Sequence, residues 1–245
     1  MTLKNKNIFI TGAGKGIGER TVKDMINSGA YVYTLIKDKR DNIKFKNQNN
    51  LKIYNGNVLN LKLINRIISD SRKNKRPING IVNNAGVRLR KEFIKINSKD
   101  LRKVLDVNFF SMFYILQNFS KFWIKNRIQG TVVNLSSIVG KTGFKELSAY
   151  AASKGAVTSL TKSFATEMAK YGIRANCISP GFTKTSFYTK FKKNKKLYNW
   201  TLSRIPSRRW GEPKEVSNLI CFLLSNNSNY INGEDISIDG GWLSS

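Results

Sequence analysis

Tyr150 and Lys154 stand four residues apart in the run Ser148-Ala149-Tyr150-Ala151-Ala152-Ser153-Lys154-Gly155. The run reads as the start of a helix, which puts both side chains on one face. A phenol titrates near pKa ~10 in water, and an ammonium held beside it favours the phenolate, so the pair can act as an acid/base device. Taken alone, Tyr-x-x-x-Lys on a helix is more often a solvated face. The chemistry therefore has to be supported by residues elsewhere in the chain.

Three further motifs give that support. Thr11-Gly12-Ala13-Gly14-Lys15-Gly16-Ile17-Gly18 follows the apolar run Ile8-Phe9-Ile10 and precedes the helical pattern Ile17, Val22, Met25, Ile26. Strand, glycine turn and helix in that order predict a dinucleotide site, because glycines let the backbone approach a phosphate and a helix N-terminus offers unpaired N–H groups. Ile81-Val82-Asn83-Asn84-Ala85-Gly86 and Val132-Val133-Asn134-Leu135-Ser136-Ser137 are apolar strands that end in polar residues. In an open α/β sheet, ligands bind outside the carboxyl ends of the strands, where these polar residues fall.

The elements that must position them are legible as alternation. Apolar runs at 8–10, 31–36, 51–54, 81–82, 132–135, 174–178 and 236–238 are separated by helical patterns, which implies a parallel sheet. With 245 residues and no proline- or serine-rich linker, one α/β domain is expected over residues 1–245.

The four ordered motifs make the chain resemble the short-chain dehydrogenase/reductase family over nearly all of Lys6 to Trp242. The resemblance implies a Rossmann-type, doubly wound parallel sheet flanked by helices. It also implies catalysis by Asn108, Ser137, Tyr150 and Lys154, with Ser137 rather than Ser136 falling at the family's serine, thirteen residues before the tyrosine. In the family mechanism Tyr150 would exchange a proton with the substrate oxygen, while Ser137 would hold that oxygen. Lys154 would lower the Tyr150 pKa and bond the nicotinamide ribose, and Asn108 would steady Lys154 through a water. The cofactor-contacting positions carried over are Gly12, Gly14, Lys15, Gly16, Ile17, Gly18, Lys37, Asn57, Val58, Asn84, Ala85, Gly86, Tyr150, Lys154, Pro180, Gly181, Thr183 and Thr185.

Cofactor choice turns on the end of the second strand. NAD-specific members place an acid where Ile36 stands here, and NADP-preferring members place cations where Lys15 and Lys37 stand. NADP(H) is therefore expected ahead of NAD(H), although Asp38 follows immediately. Asn57 occupies a position where many members have an aspartate near adenine.

Arg204-Ile205-Pro206, Arg209-Trp210-Gly211-Glu212-Pro213 and Asp239-Gly240-Gly241-Trp242-Leu243 look like the sugar and sugar-acid dehydrogenases of the family. The 3-oxoacyl-carrier reductases share much of the same frame, and residues 11–23 are also similar to xylulose and carbonyl reductases. A carbonyl/alcohol oxidoreductase on a sugar-like or sugar-acid substrate is expected, with 3-oxoacyl-[acyl-carrier-protein] reduction as the alternative. The segment at about 182–212 corresponds to the family's substrate lid. It carries the cluster Lys190-Phe191-Lys192-Lys193-Asn194-Lys195-Lys196, which reads either as a solvated charge run or as a device favouring an acidic substrate. By the same resemblance the protein is expected to be a homotetramer. Phe109, Phe110, Phe113, Leu116, Phe119, Phe122 and Trp123 form a helix rich enough in apolar residues to serve both core and interface.

Composition bounds the rest. The absence of histidine excludes Ser-His-Asp hydrolysis and histidine-bearing zinc sites, and no metal is expected. Cys177 and Cys221 read as small buried hydrophobes. The net charge of +28 would suit a polyanion-binding protein without catalysis, but lysines and arginines are scattered along the chain. No specific nucleic-acid partner is expected, only nonspecific sticking at low salt. The first strand begins within a few residues of Met1, leaving no room for a signal peptide, and no apolar stretch approaches ~18 residues. A cytoplasmic location without membrane association is expected.

Overall fold

The computed structural model describes residues 2–245, and at Phe187 and Lys190 the backbone only. Seven strands form one sheet: Asn7–Thr11 (β1), Tyr31–Ile36 (β2), Leu51–Asn55 (β3), Gly80–Asn83 (β4), Thr131–Leu135 (β5), Arg174–Pro180 (β6) and Asp235–Ile238 (β7). Every pairing is parallel, in the order β3-β2-β1-β4-β5-β6-β7. This is the Rossmann-type doubly wound sheet, and all seven expected apolar runs fall within its strands. β6 runs on from Ile178 to Pro180 because Pro180 pairs with Ile238 and needs no N–H of its own there.

Alternate strand residues feed two separate cores. Phe9, Ile81 and Val132 point to one face, and Ile8, Ile10, Val82 and Val133 to the other. Strands buried on both faces read as continuous apolar runs, which is why periodicity alone locates them. The helices are Gly16–Asn27 (α1), Leu61–Lys73 (α2), Ser98–Leu105 (α3), Ser111–Asn126 (α4), Ser148–Met168 (α5), Ser186–Lys192 (α6), Lys195–Arg204 (α7) and Pro213–Leu224 (α8). α2, α4 and α5 cover the Phe9 face with Ile67, Phe119 and Val157, and α1 and α8 cover the other with Val22, Met25 and Ile220. Among the described residues no helix is long and apolar enough to cross a membrane.

The strand order reverses between β1 and β4, which opens a crevice at their carboxyl ends. Thr11 and Asn84 lock that crevice open. The Thr11 hydroxyl oxygen accepts the backbone N–H groups of Asn84 and Ala85 at 3.2 and 3.1 Å. The Asn84 amide donates in return to the carbonyls of Thr11 and Gly12 at 3.1 and 2.8 Å. A third cluster of Ile138, Leu147, Phe191, Ile205, Trp210 and Trp242 packs α6 and α7 beside the mouth of the same crevice.

Candidate active site

A cleft of about 610 Å³ runs along the carboxyl ends of β1, β4, β5 and β6. Of the residues expected at the site, Gly14, Gly18 and Asn108 stand behind the lining and all the others form it.

The glycine turn owes its shape to close backbone approach. Gly12 has φ +69°, and a Cβ there would lie 2.7 Å from the Ala85 Cα. A Cβ at Gly18 would collide with the Gly12 carbonyl oxygen, so α1 can meet β1 this tightly only with glycine. Gly14 faces Asp41 instead of the cleft. At the start of α1, the N-cap residue Lys15 makes no side-chain cap. The N–H groups of the first turn are therefore left to whatever anion enters, and a pyrophosphate fits that need. With Asn84 to Gly86 opposite, the residues present suit a nicotinamide dinucleotide.

At the adenosine end Ile36 is buried, and Lys15 and Lys37 are exposed along the cleft. Asp38 is turned to Arg40, accepting its backbone N–H at 3.1 Å and its guanidinium at 2.6 Å. Those bonds hold the Asp38 carboxyl at about 2, well below the usual carboxylate range. Arg40 thus neutralises Asp38, a role the sequence reading did not give it. Asn57 accepts the Leu59 N–H at 3.1 Å, so its carbonyl oxygen shapes the turn after β3.

At the other end Tyr150 and Lys154 occupy the first two turns of α5, as the sequence predicts, with the ammonium 5.8 Å from the phenol ring centre. Ser137 caps the short helical turn Ile138–Gly140, its oxygen accepting the Val139 N–H at 3.2 Å. Its own hydrogen remains for Tyr150, with which it is hydrogen-bonded. Tyr150 is partly exposed as a residue, yet its hydroxyl lies deep enough for burial to push its pKa up. The Ser137 bond and the positive charge of Arg88 oppose that rise. Lys154 is 4% exposed and donates to the Leu135 carbonyl at 2.5 Å. Burial brings its pKa down to about 8. The groups that oppose the rise at Tyr150 here are Ser137 and Arg88, while the Lys154 ammonium is directed at a backbone carbonyl.

Asn108 lies in a widened π-type turn, Asp106–Phe110, between α3 and α4, and is fully buried. Such turns re-aim a side chain within a continuous helix. Its oxygen accepts the Val87 N–H at 2.7 Å, and its nitrogen donates to the Val87 carbonyl at 2.9 Å and to the Ser153 hydroxyl at 3.0 Å. A Cβ on Gly86 would sit 3.4 Å from the Asn108 oxygen and 3.8 Å from the Lys154 nitrogen, so the two groups flank this glycine.

Sequence reasoning missed Arg88, which lines the cleft near Tyr150, and the apolar wall of Val139, Phe144, Leu147, Phe182 and Trp210. The irregular segment after Asn83-Asn84-Ala85-Gly86 carries no signal for Arg88 beyond its distance from the motif. The wall is assembled from segments far apart in the chain, and its aromatic rings pack at tilted angles: Phe182 lies 5.0 Å from Trp210 and 5.1 Å from Trp242 between ring centres. Lys192, Lys193, Lys195 and Lys196 are exposed and do not line the cleft, and the Lys190 side chain lies outside the described residues. Lys192 instead lies over the rings of Tyr188 and Tyr198. Within the segment 182–212, Thr183 pairs with Gly211, which ties the chain leaving β6 to the residues before α8.

The family described as Enoyl-(Acyl carrier protein) reductase, adh_short_C2, matches residues 12–243. The 3-oxoacyl-[acyl-carrier-protein] reductase FabG of Buchnera aphidicola is 34% identical over 98% of both chains. The 2-dehydro-3-deoxy-D-gluconate 5-dehydrogenase of Bacillus subtilis is 32% identical over 99% of this chain and 96% of its own. Among solved structures, 4-hydroxyisoleucine dehydrogenase complexed with NADH superposes with a TM-score of 0.92 at 30% identity, covering 98% of this chain and 99% of that one. ElxO with NADP bound does so with a TM-score of 0.90, at the same identity and coverage. Fold, cleft and relatives agree, and the chain belongs to the short-chain dehydrogenase/reductase family, nicotinamide-dependent oxidoreductases that interconvert C=O and CH–OH groups.

Proposed function

We propose that the protein reduces a ketone to a secondary alcohol, reversibly, on a small sugar-like or sugar-acid substrate, with NADP(H) preferred over NAD(H). The observation that carries the reaction is the convergence of Ser137, Tyr150 and Lys154 on one end of the cleft. When bound there, the nicotinamide supplies or accepts the hydride. Tyr150 gives its proton to the developing alkoxide, and Ser137 donates a hydrogen bond to the same oxygen. Lys154, held between Leu135 and the Gly86 backbone, offers a buried cation to the ribose side and a route for replacing the proton. Asn108 is the residue that fixes this corner.

The NADP preference rests on Lys15 and Lys37 lining the adenosine end while Arg40 neutralises Asp38. The segment 182–212, with α6 and α7, acts as the lid over the substrate, and the protein works in the cytoplasm as a homotetramer. The sugar-acid relatives favour that substrate class. A second reading, 3-oxoacyl-carrier reduction, is favoured by the aromatic wall, which an acyl chain would suit.

The test is NADPH and NADH oxidation at matched salt against keto sugars, keto sugar acids and a 3-oxoacyl thioester. Turnover on one class that Tyr150→Phe abolishes, with NADPH binding kept, is the expected result. Turnover unaffected by Tyr150→Phe sinks the assignment of the acid.

A further inference from the structure

The cleft is positive from end to end. Its lining carries Lys15, Lys37, Arg88 and Lys154, and no aspartate or glutamate among the described residues. Lys15 and Lys37 lie toward the adenosine phosphates and Lys154 toward the ribose in the reading above. Among the described residues, Arg88 is then the lining cation of the substrate end, beside Tyr150.

Its place is built rather than incidental. On one side Val87 is clamped through both backbone polar groups by the buried Asn108 amide, at 2.7 and 2.9 Å. On the other, Arg90 pairs with Glu146 at 2.6 Å and the Lys91 N–H donates to the Glu146 carbonyl at 2.9 Å. The backbone carrying Arg88 is thus fixed over the cleft from both directions, so the guanidinium works from a rigid base. Across the cleft, Val139, Phe144 and Leu147 offer no side-chain polar group, and the Trp210 indole N–H is engaged with the Thr201 hydroxyl at 2.8 Å. Beside Ser137 and Tyr150, which meet the reacting oxygen, and Lys154, assigned to the ribose side, Arg88 is the charged group among the described residues that lines this end of the cleft. Its charge also reaches the Tyr150 hydroxyl, opposing the rise in pKa that burial causes there.

We propose that Arg88 is the specificity-determining residue of this cleft and binds a carboxylate of the substrate, so that the carbonyl reduced at Tyr150 belongs to a keto acid. A guanidinium meets a carboxylate with two parallel N–H···O bonds, fixing orientation as well as adding affinity. The uncharged remainder of the substrate lies on the apolar wall. An acyl thioester has no carboxylate to offer at this point. The assignment rests on the reductase reading and sharpens its substrate class.

The test compares acetoacetate, levulinate and 5-keto-D-gluconate, each beside its uncharged amide, at saturating NADPH, in the wild type, Arg88→Gln and Arg88→Lys. The wild type should favour at least one acid over its amide. Arg88→Gln should lower that acid-to-amide ratio of kcat/KM by about 10- to 100-fold, through KM, as expected for a lost hydrogen bond to a charged group. Arg88→Lys should recover part of it. A ratio unchanged in Arg88→Gln, or a wild type that does not favour acids, overturns the proposal. Nicotinamide fluorescence of the enzyme–NADPH complex titrated with D-gluconate and D-gluconamide judges the site without turnover. Should the wild type reduce no carbonyl, the reductase reading fails on its own. Weaker gluconate binding in Arg88→Gln would then still support the anion site, and equal or absent binding in both proteins would overturn it.

Discussion

The amide of Asn108 holds Val87 at both of its backbone polar groups, accepting from the N–H at 2.7 Å and donating to the carbonyl at 2.9 Å. One buried side chain thereby stands in for a strand pairing at the point where β4 has ended and the cleft begins. Its third bond, to Ser153, reaches α5 one residue before Lys154.

Asn108→Ala would leave the Val87 N–H and carbonyl without this partner in a buried site. A loss of about 2 kcal/mol of stability is expected, since orphaned buried groups cost roughly 1–3 kcal/mol each and relaxation recovers part. Misplacement of Gly86 and Lys154 should lower kcat by roughly 10- to 100-fold. Thermal melts and steady-state kinetics check both. A variant with wild-type melting and wild-type kcat would show that Asn108 positions nothing.

Lys154 supplies a pH dependence with a definite sign. Its pKa is about 8 in the folded chain against an ordinary 10.5, because the ammonium is buried. Below pH 8 both states are protonated and the folded state bears the full cost of the buried charge. Between pH 8 and 10.5 the unfolded chain holds the proton that the folded one has released, so stability rises with pH through that window. The total is at most about 3 kcal/mol. Lys154→Met removes this contribution, so the wild type should gain stability relative to Lys154→Met as pH rises through the window. Denaturant unfolding of both proteins at several pH values tests it, and parallel pH profiles would show that Lys154 keeps an ordinary pKa.

Much of this was legible beforehand because it is local. The glycine turn, the strand ends at Asn84 and Ser137, and the Tyr150/Lys154 turn are each set by a few consecutive residues, and the sheet follows from apolar runs buried on two faces. What escaped is made of contacts between distant segments. Arg40 matters only because Asp38 turns toward it, and Arg88 only because Asn108 and Glu146 fix its backbone from 20 and 58 positions away. The same limit left the lysines of 190–196 open between a solvated run and a device favouring acidic substrates, and those whose side chains are described face solvent.

Cofactor preference is tested at Lys15 and Lys37. Replacing both with alanine should lower kcat/KM for NADPH by about 10- to 100-fold while NADH changes by no more than about threefold, because only NADPH carries the phosphate these cations would meet. Arg40→Ala should also cost NADPH, since it releases the Asp38 carboxylate from its partner. Equal losses with both cofactors would mean that the lysines act on the shared pyrophosphate and that the NADP assignment is unsupported.

Assembly is tested at the outer face of α4. Leu116, Phe119 and Trp123 are buried, whereas Phe110, Phe113 and Tyr114, whose rings pack with Phe109 or with each other, are 38%, 39% and 41% exposed. Clustered large apolar groups in water are costly, and a second copy covering them is what the proposed tetramer would require. The net charge of +28 per chain opposes such contact at long range, and salt screens that repulsion over about 10 Å at 0.1 M. Light scattering should therefore show tetramers at moderate salt and a shift toward smaller species as salt is lowered. Phe113→Asp should shift the equilibrium the same way at constant salt while leaving the monomer folded, as its side chain is not part of the core. A wild type that remains monomeric at working concentration in moderate salt would remove the tetramer, and the exposed face of α4 would need another explanation.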